Sequence, residues 1–383
     1  MWKRYLLWGV SALVVLGLGG FGGWLLSLQP ATQAVEAPAV PQAETDAMMA
    51  SLKPPEGRLP LVAVIGINDA TETTDYLTPT GILRRADIAD VKMLATGPGP
   101  VVLYPALSVE PDETVAEFDA QHPEGADYVI VPAMSRDDDP LVLAWLREQA
   151  AKGARIIGVC AGAKVVAATG LLDGRRATTH WYYLAEMLKD RPTIRYVKNR
   201  RMVSDGNVVT TTGITASVHM MLTLIEAIAG RGKADAIAAE LGSAQWNAGH
   251  ASGAFRLTRP FAITVLANRL AFWKREELEI RLEPGMDEVS LALAVDAWSR
   301  TYRSSVRSFS PVTAGIVTAN GVRVFPDAET SRLPQERRIS IFPEARPADA
   351  LDQTLRAIAT RHGARTASIV AMQLEYPQTD GGQ

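Results

Sequence analysis

"RIIGVCAGAKVVAATGLLDGRRATTHW", residues 155–181, holds Cys160, the single cysteine of a 383-residue chain. The segment opens as an apolar run and continues as "AGAKVVAATG", a short helix-like stretch closed by Gly170. A strand through Gly158, then Cys160, then a helix beginning near Gly162 makes a G-x-C-x-G form of the nucleophile elbow. A nucleophile on so sharp a turn sits in strained backbone, and its neighbours must be small to clear it. The helix beyond directs free N–H groups and a positive dipole end at the sulfur, which is expected to lower the thiol pKa. The plain alternative is a small buried hydrophobe, a common state for a free cysteine.

Outward from the elbow, strands and helices alternate. "LPLVAVIGI" (59–67) is an uninterrupted apolar run, as a strand buried on both faces requires. "TTDYLTPTGILRRADI" has helical spacing at Tyr76, Ile82 and Leu83, with Pro79 expected in the first turn. "DVKMLATG" and "YVIVPAM" (128–134) read as strands, and "PLVLAWLREQAAKG" as a helix started by Pro140 and stopped by Gly153. "GNVVTTTGITASVHMMLTLIEAIAG" (206–230) adds a strand, a polar turn and a long apolar helix, with Thr211, Thr212 and Gly213 at the strand end. This order predicts an α/β, doubly wound, flavodoxin-like sandwich. Ligands in such sheets collect at the carboxyl ends of the strands, where Cys160 lies.

"VCAGAKVVAATGLLDGRRATTHW" resembles the ThiJ/PfpI family of the class I glutamine-amidotransferase-like fold, nearest to isonitrile hydratase-like members and the sensor domains of AraC-type regulators. The resemblance covers roughly residues 60–250. It implies an acid near the first strand and, in several members, a histidine twenty residues beyond the cysteine. Asp75 and His180 stand at those positions. The resemblance therefore implies Cys160, Asp75 and His180 as catalytic residues, and Ala133, Met134, Ala161, Thr212 and Gly213 as binding residues. Asp75 reads as a proton partner for the thiol or as a helix N-cap. His180 reads as a base for the thiol or as a hydrogen-bonded structural histidine. Two departures stand out: Pro132-Ala133-Met134 replaces the family's Pro-Gly-Gly, whose amides form an oxyanion site, and Ala161 replaces threonine.

Composition limits the rest. Hydrophobic residues make up 47%, charged residues 21%, and the formal net charge is -3. That balance suits a globular protein without a field for nucleic acid. One cysteine excludes a disulfide framework, and His122, His219, His250 and His362 show no metal-ligand spacing, so no metal or cofactor is expected. "KNRR" (198–201) reads as a solvated basic turn.

The N-terminus points to a membrane. Lys3 and Arg4 precede a run from Leu6 to Leu28 that carries no charge, with Trp8 and Trp24 near its ends. Such a run is long enough to cross a bilayer, and the positive-inside rule leaves the N-terminus cytoplasmic and the body exported, as in a single-pass inner-membrane protein. A cleaved secretory signal is the competing reading. Residues 1–30 thus read as an anchor, 31–58 as a Pro/Ala-rich tether, 59–250 as the ThiJ/PfpI-like domain and 251–274 as a connecting helix. The stretch 255–275 is alternatively a membrane-surface segment, given Arg269, Lys274 and Arg275 beside Phe272 and Trp273.

The remainder, 275–383, is not the helix-turn-helix that AraC-type relatives carry. An offset of 215 residues pairs Arg85 with Arg300, Pro111 with Pro326 and Asp112 with Asp327. After a five-residue slip, "KGARIIGVC" pairs with "HGARTASIV". This reads as a degenerate, shortened copy of the first half-domain, with Ser290 at the place of Asp75 and Val370 at that of Cys160. The partners expected are a small-molecule substrate or ligand, the membrane, and a homodimer or intramolecular pseudo-dimer; nucleic acid is not. Function divides between a cysteine-dependent hydrolase or hydratase and a non-catalytic ligand- or redox-sensing module.

Overall fold

The computed structural model describes Trp8, Gly17 and residues 19–30, 36–243 and 245–377. Among these no helix is long and apolar enough to cross a membrane. Of the span expected over residues 6–28, Trp8, Gly17 and 19–28 are described, with 19–27 helical, and the rest lies outside the described residues.

The first unit is built as its apolar runs dictate. In chain order it contains β1 (Leu61–Gly66), α1 (Thr73–Ala86), β2 (Asp90–Ala95), β3 (Glu113–Thr114), β4 (Tyr128–Val131), α2 (Pro140–Ala151), β5 (Arg155–Gly158), α3 (Gly162–Ala168), β6 (Met202–Asp205), β7 (Val208–Thr211) and α4 (Ile214–Ala229). The strands form one sheet in the order β6-β7-β5-β4-β1-β2-β3. Pairing is parallel except between β6 and β7. Side chains alternate between the faces of β1: Val62 and Val64 enter one core cluster, Ala63 and Ile65 the other. That two-sided burial is why the strand carries no polar residue. The α/β, flavodoxin-like architecture is as expected.

Three local expectations fail. Helix α1 starts at Thr73, so Pro79 lies inside it rather than in its first turn. The cap responsible is Glu72, whose carboxylate accepts the Asp75 N–H at 2.6 Å. The tether is not bare chain throughout, because Gln42–Ser51 is a helix that buries Met48, with Leu52 buried just beyond it. Nor is "KNRR" a solvated turn. Arg200 bonds Glu44 of that docked helix at 2.6 Å, and Arg201 donates to the Gly249 carbonyl at 2.7 Å.

The second unit follows α5 (Arg259–Leu270). It comprises β8 (Glu276–Arg281), α6 (Glu288–Ser299), β9 (Ser304–Phe309), β10 (Arg338–Ile339), α7 (Pro347–His362) and α8 (Ala364–Gln373). Its strands run in the order β9-β8-β10, all parallel. The starts of β1, α1 and β2 at Leu61, Thr73 and Asp90 are matched by β8, α6 and β9 at Glu276, Glu288 and Ser304. Details agree as well: Asp112 accepts from Met93 N at 2.6 Å, and Asp327 from Ser308 N at 2.7 Å. Correspondence ends after Gly153 and Gly363, which close α2 and α7 in the left-handed region. Beyond them β5 is a strand whereas α8 is a helix, so Val370 holds no place like that of Cys160. Thr366, Ile369, Val370 and Gln373 are buried, a helical rather than a strand periodicity.

The units share a core. Helix α6 packs on α1, and Leu77 and Ile82 join Leu291 and Val295 in one cluster. Gly81 permits this approach, because the Glu288 side chain occupies the place of any Cβ there. Arg85 pairs with Asp287 across the seam. A second sheet also crosses it, with Arg323–Phe325 antiparallel to Ser108–Val109.

Candidate active site

Cys160 lies between β5 and α3 with φ at +54°. A residue with a Cβ pays roughly 1–2 kcal/mol in that region. The bend is held from both sides: Cys160 N–H donates to Thr211 Oγ1 at 3.1 Å, and Cys160 O accepts from Thr179 Oγ1 at 3.0 Å. The flanking glycines are steric necessities. A Cβ on Gly162 would overlap the Val131 carbonyl, and one on Gly158 would lie 3.0 Å from Ala163 Cα.

The acid arrives from α1. Asp75 is fully buried in the first turn, and its Oδ2 accepts the Ala133 N–H at 3.1 Å. Its Oδ1 is buried with no hydrogen-bond partner among the described residues. Desolvation holds the Asp75 carboxyl well above its ordinary pKa, and the Glu72 charge adds to that. Burial thus favours the protonated form of Asp75, and Asp75 is not the helix cap, since Glu72 does the capping.

The thiol departs from expectation. Cys160 is only 5% exposed. Burial pushes its pKa up, Asp75 and Glu72 push it further, and Arg300 opposes them. Helix α3 is seven residues long. The positive end of so short a helix does not offset desolvation by neighbouring apolar walls and carboxyls.

His180 is also placed differently from a base. Its Nε2 lies 2.9 Å from the Gln373 carbonyl, and its Nδ1 accepts the Tyr182 N–H at 3.2 Å. This network puts the proton on Nε2 and leaves neither nitrogen for the sulfur. Burial lowers the His180 pKa, with Glu375 and the Gln373 carbonyl opposing.

The expected binding residues separate. Ala133 supplies the amide that holds Asp75, and Ala161 is buried beside Cys160 in the same core cluster. Met134 packs into the cluster on the opposite sheet face, away from the thiol, because successive residues of an extended segment alternate sides. Thr212 is buried, and its Oγ1 has no hydrogen-bond partner among the described residues. It lines a cavity of about 360 Å³ with Thr179, Trp181, Tyr182, His250 and Glu375. Cys160 and Asp75 are not among the residues lining that cavity. Gly213 lies against the side chain of Glu375, which a Cβ would displace.

Residues 62–227 match the DJ-1/PfpI family. This domain is a DJ-1/PfpI domain. Among curated relatives, isonitrile hydratase of Pseudomonas putida is 42% identical over 94 residues, which is 24% of this chain and 40% of that protein. The HTH-type transcriptional regulator CdhR of Pseudomonas aeruginosa is 31% identical over 172 residues, 44% of this chain and 48% of the regulator. The chain thus spans less than half the length of either relative. Among solved structures, Drosophila melanogaster DJ-1beta is 24% identical with a TM-score of 0.44, covering 49% of this chain and 100% of that one.

Around the DJ-1/PfpI elbow, the second unit contributes groups that sequence reading missed. Arg300, at the end of α6, bonds Glu72 Oε1 at 2.8 Å and Asp296 Oδ2 at 2.7 Å. Glu72 is pushed up to about 7, by burial first and the Asp296 charge second, against the pull of Arg300. Gln373 O holds His180, and Glu375 Oε1 accepts the Trp181 N–H at 2.9 Å. Glu375 Oε2 lies 3.2 Å from His250 Nε2. Glu72 carried a readable signal, an acid three residues ahead of Asp75 at a helix start. Arg300 and Glu375 carried none, because their partners lie 228 and 194 positions away in the chain.

Proposed function

We propose that the DJ-1/PfpI domain is a cysteine-dependent hydrolase or hydratase acting on a small electrophile. The observation that carries this reading is Cys160 in left-handed backbone at the elbow, with a buried Asp75 whose Oδ1 has no partner. The Cys160 sulfur bonds to the electrophilic carbon while its proton passes to Asp75. Asp75 gives its own proton to the substrate atom that gains the electron pair. Water then attacks the thio-adduct, the C–S bond breaks, and the sulfur recovers a proton. Substrate plus water becomes product, with enzyme unchanged. Burial raises the pKa of both groups, and a concerted exchange of protons between them forms no net charge in the buried site. The isonitrile hydratase relative supports an isonitrile-type carbon as one substrate class. The test is a screen of small aldehydes, nitriles and isonitriles with wild type and Cys160→Ala. Turnover that survives in Cys160→Ala, or no turnover with any of them, overturns the reading.

The thiol's burial and raised pKa favour a second reading, a sensing module without turnover, and within it ligand sensing over redox sensing, since oxidation needs an accessible thiolate. Burial and the raised pKa make iodoacetamide labelling near neutral pH slower than that of a free cysteine peptide in either case. Turnover separates the two: an enzyme converts at least one of the screened electrophiles and loses that activity in Cys160→Ala, while a sensor converts none.

The uncharged run from Leu6 to Leu28 supports an N-terminal anchor and an exported body at the inner membrane. A reporter active only in the periplasm, fused after Gln383, is expected to be active; silence overturns this orientation. The matched starts of β8, α6 and β9 support the second unit as a shortened copy, packed on the first as an intramolecular pseudo-dimer.

A further inference from the structure

Helix α5 is amphipathic in the wrong sense for a helix facing water. Its inward face carries Thr264 and Asn268 beside Phe261, and Asn268 Nδ2 donates to Thr301 O at 2.9 Å and Thr366 Oγ1 at 3.1 Å. Its outward face carries Ile263, Leu266 and Leu270, the last 61% exposed. The short turn that follows exposes Phe272 by 68% and Trp273 by 69%. A monomeric surface seldom leaves so many large apolar groups together without a partner.

Charge within this segment has one sign, and acidic residues resume only with Glu276 and Glu277 at the start of β8. From residue 241 to 275 the chain contains no Asp or Glu, while Arg256, Arg259, Arg269, Lys274 and Arg275 are basic. Arg269 lies over the Tyr302 ring at 4.7 Å and remains exposed. Lys274 and Arg275 flank the Phe272–Trp273 pair. Arg259 adds continuity: its guanidinium donates to the carbonyls of Leu26 at 2.9 Å and Leu28 at 3.2 Å, and its N–H to Gln29 O at 2.9 Å. The start of α5 is thereby fastened to the end of the N-terminal apolar run.

We infer that residues 256–275 form an interfacial membrane contact, with the apolar face of α5 and the Phe272–Trp273 pair seated in the headgroup region of an anionic phospholipid bilayer. Aromatic and aliphatic groups enter the interface while adjacent cations meet lipid phosphates, the arrangement of in-plane amphipathic helices. The anchor reading supplies the orientation: a helix leaving the bilayer near Leu28 delivers α5 to the surface. The contact would also hold the second unit, and with it Arg300, at a fixed height over the membrane.

The test uses the full chain with Cys160→Ala, so that one introduced cysteine carries an environment-sensitive fluorophore. Leu270→Cys and Trp273→Cys report on the contact, and Leu141→Cys, an exposed position on α2, is the control. In vesicles of phosphatidylcholine with phosphatidylglycerol, emission at 270 and 273 is expected to shift to the blue and to be quenched by brominated lipid. Emission at 141 is expected to stay water-like, and Lys274→Gln with Arg275→Gln to weaken the quenching. Water-like emission at 270 and 273 in a chain that resists carbonate extraction overturns the contact and leaves the anchor standing. A blue shift without lipid quenching means a protein, such as a second copy, covers the face, and also overturns it. If carbonate extracts the chain, the anchor reading fails separately, and the labelled chain is added to the same vesicles: quenching at 270 and 273 supports the contact, and its absence refutes it.

Discussion

Cys160 stores backbone strain that the surrounding structure over-determines through Thr211, Thr179 and the two flanking glycines. Removing the Cβ relieves it. Cys160→Gly is expected to be more stable than Cys160→Ala by roughly 1 kcal/mol in chemical denaturation, despite the entropic cost of glycine. Equal stabilities, or a less stable glycine variant, would mean that the elbow is unstrained. Asp75 makes a different demand. Its folded pKa is raised, so the native state keeps a proton that the unfolded chain releases above about pH 4, and wild-type stability falls as pH climbs from there through the folded value. Asp75→Asn should flatten that fall while cutting turnover by about 10²–10⁴-fold. A variant with the wild-type pH dependence would show that Asp75 is already ionised in the fold. Cys160 was legible in the sequence because it belongs to a local elbow pattern, and Asp75 because the family resemblance implies an acid at its position. The protonation of each was not, because burial is a property of the packed core.

Among the elements, α1 and α6 bear the most on the site. Helix α1 is started by Glu72, and Glu72 is held by Arg300 from the end of α6. Replacing Arg300 leaves Glu72 and Asp296 as buried carboxylates without their cation. Arg300→Met is therefore expected to destabilise by about 3–5 kcal/mol at neutral pH, less as pH falls and the carboxyls take up protons, with Arg300→Lys partly restoring it. The same change should move the pH midpoint of Cys160 labelling upward, since Arg300 opposes the carboxyls around the thiol. A midpoint that does not move would reduce Arg300 to a structural tie. The strands and most helices were readable because apolar runs and turn residues are contiguous in sequence. Pro79 misled because a strong cap at Glu72 starts the helix six residues earlier than proline preference suggests. The pairing of "HGARTASIV" with "KGARIIGVC" misled because identity at Gly, Ala and Arg says nothing of the following apolar period, which is helical in one and extended in the other.

For the whole molecule, the second unit closes the site as well as packing beside it. Glu375 reaches Trp181, Gly213 and His250 from the end of α8, and its pKa is lowered to about 2: donors His250 and Trp181 and the nearby His180 outweigh desolvation. A depressed carboxyl stabilises the fold above its unfolded value near 4.5 and loses that contribution as pH falls toward about 2. Acid denaturation of the wild type should therefore show a component of about 3 kcal/mol at most between those limits, absent in Glu375→Gln. An unchanged acid transition would mean that the tail is not docked in solution. The chain by itself determined the alternating α/β order and the elbow, because those depend on residues a few positions apart; Asp75 followed from the family resemblance. Tertiary structure alone decided that the pKa values of the thiol and the acid are both raised, that His180 is spent on the Gln373 carbonyl, and that Arg300 ties Glu72 while Glu375 ties Trp181 and His250. Desolvation and ion pairing depend on groups that only folding brings within a few ångströms.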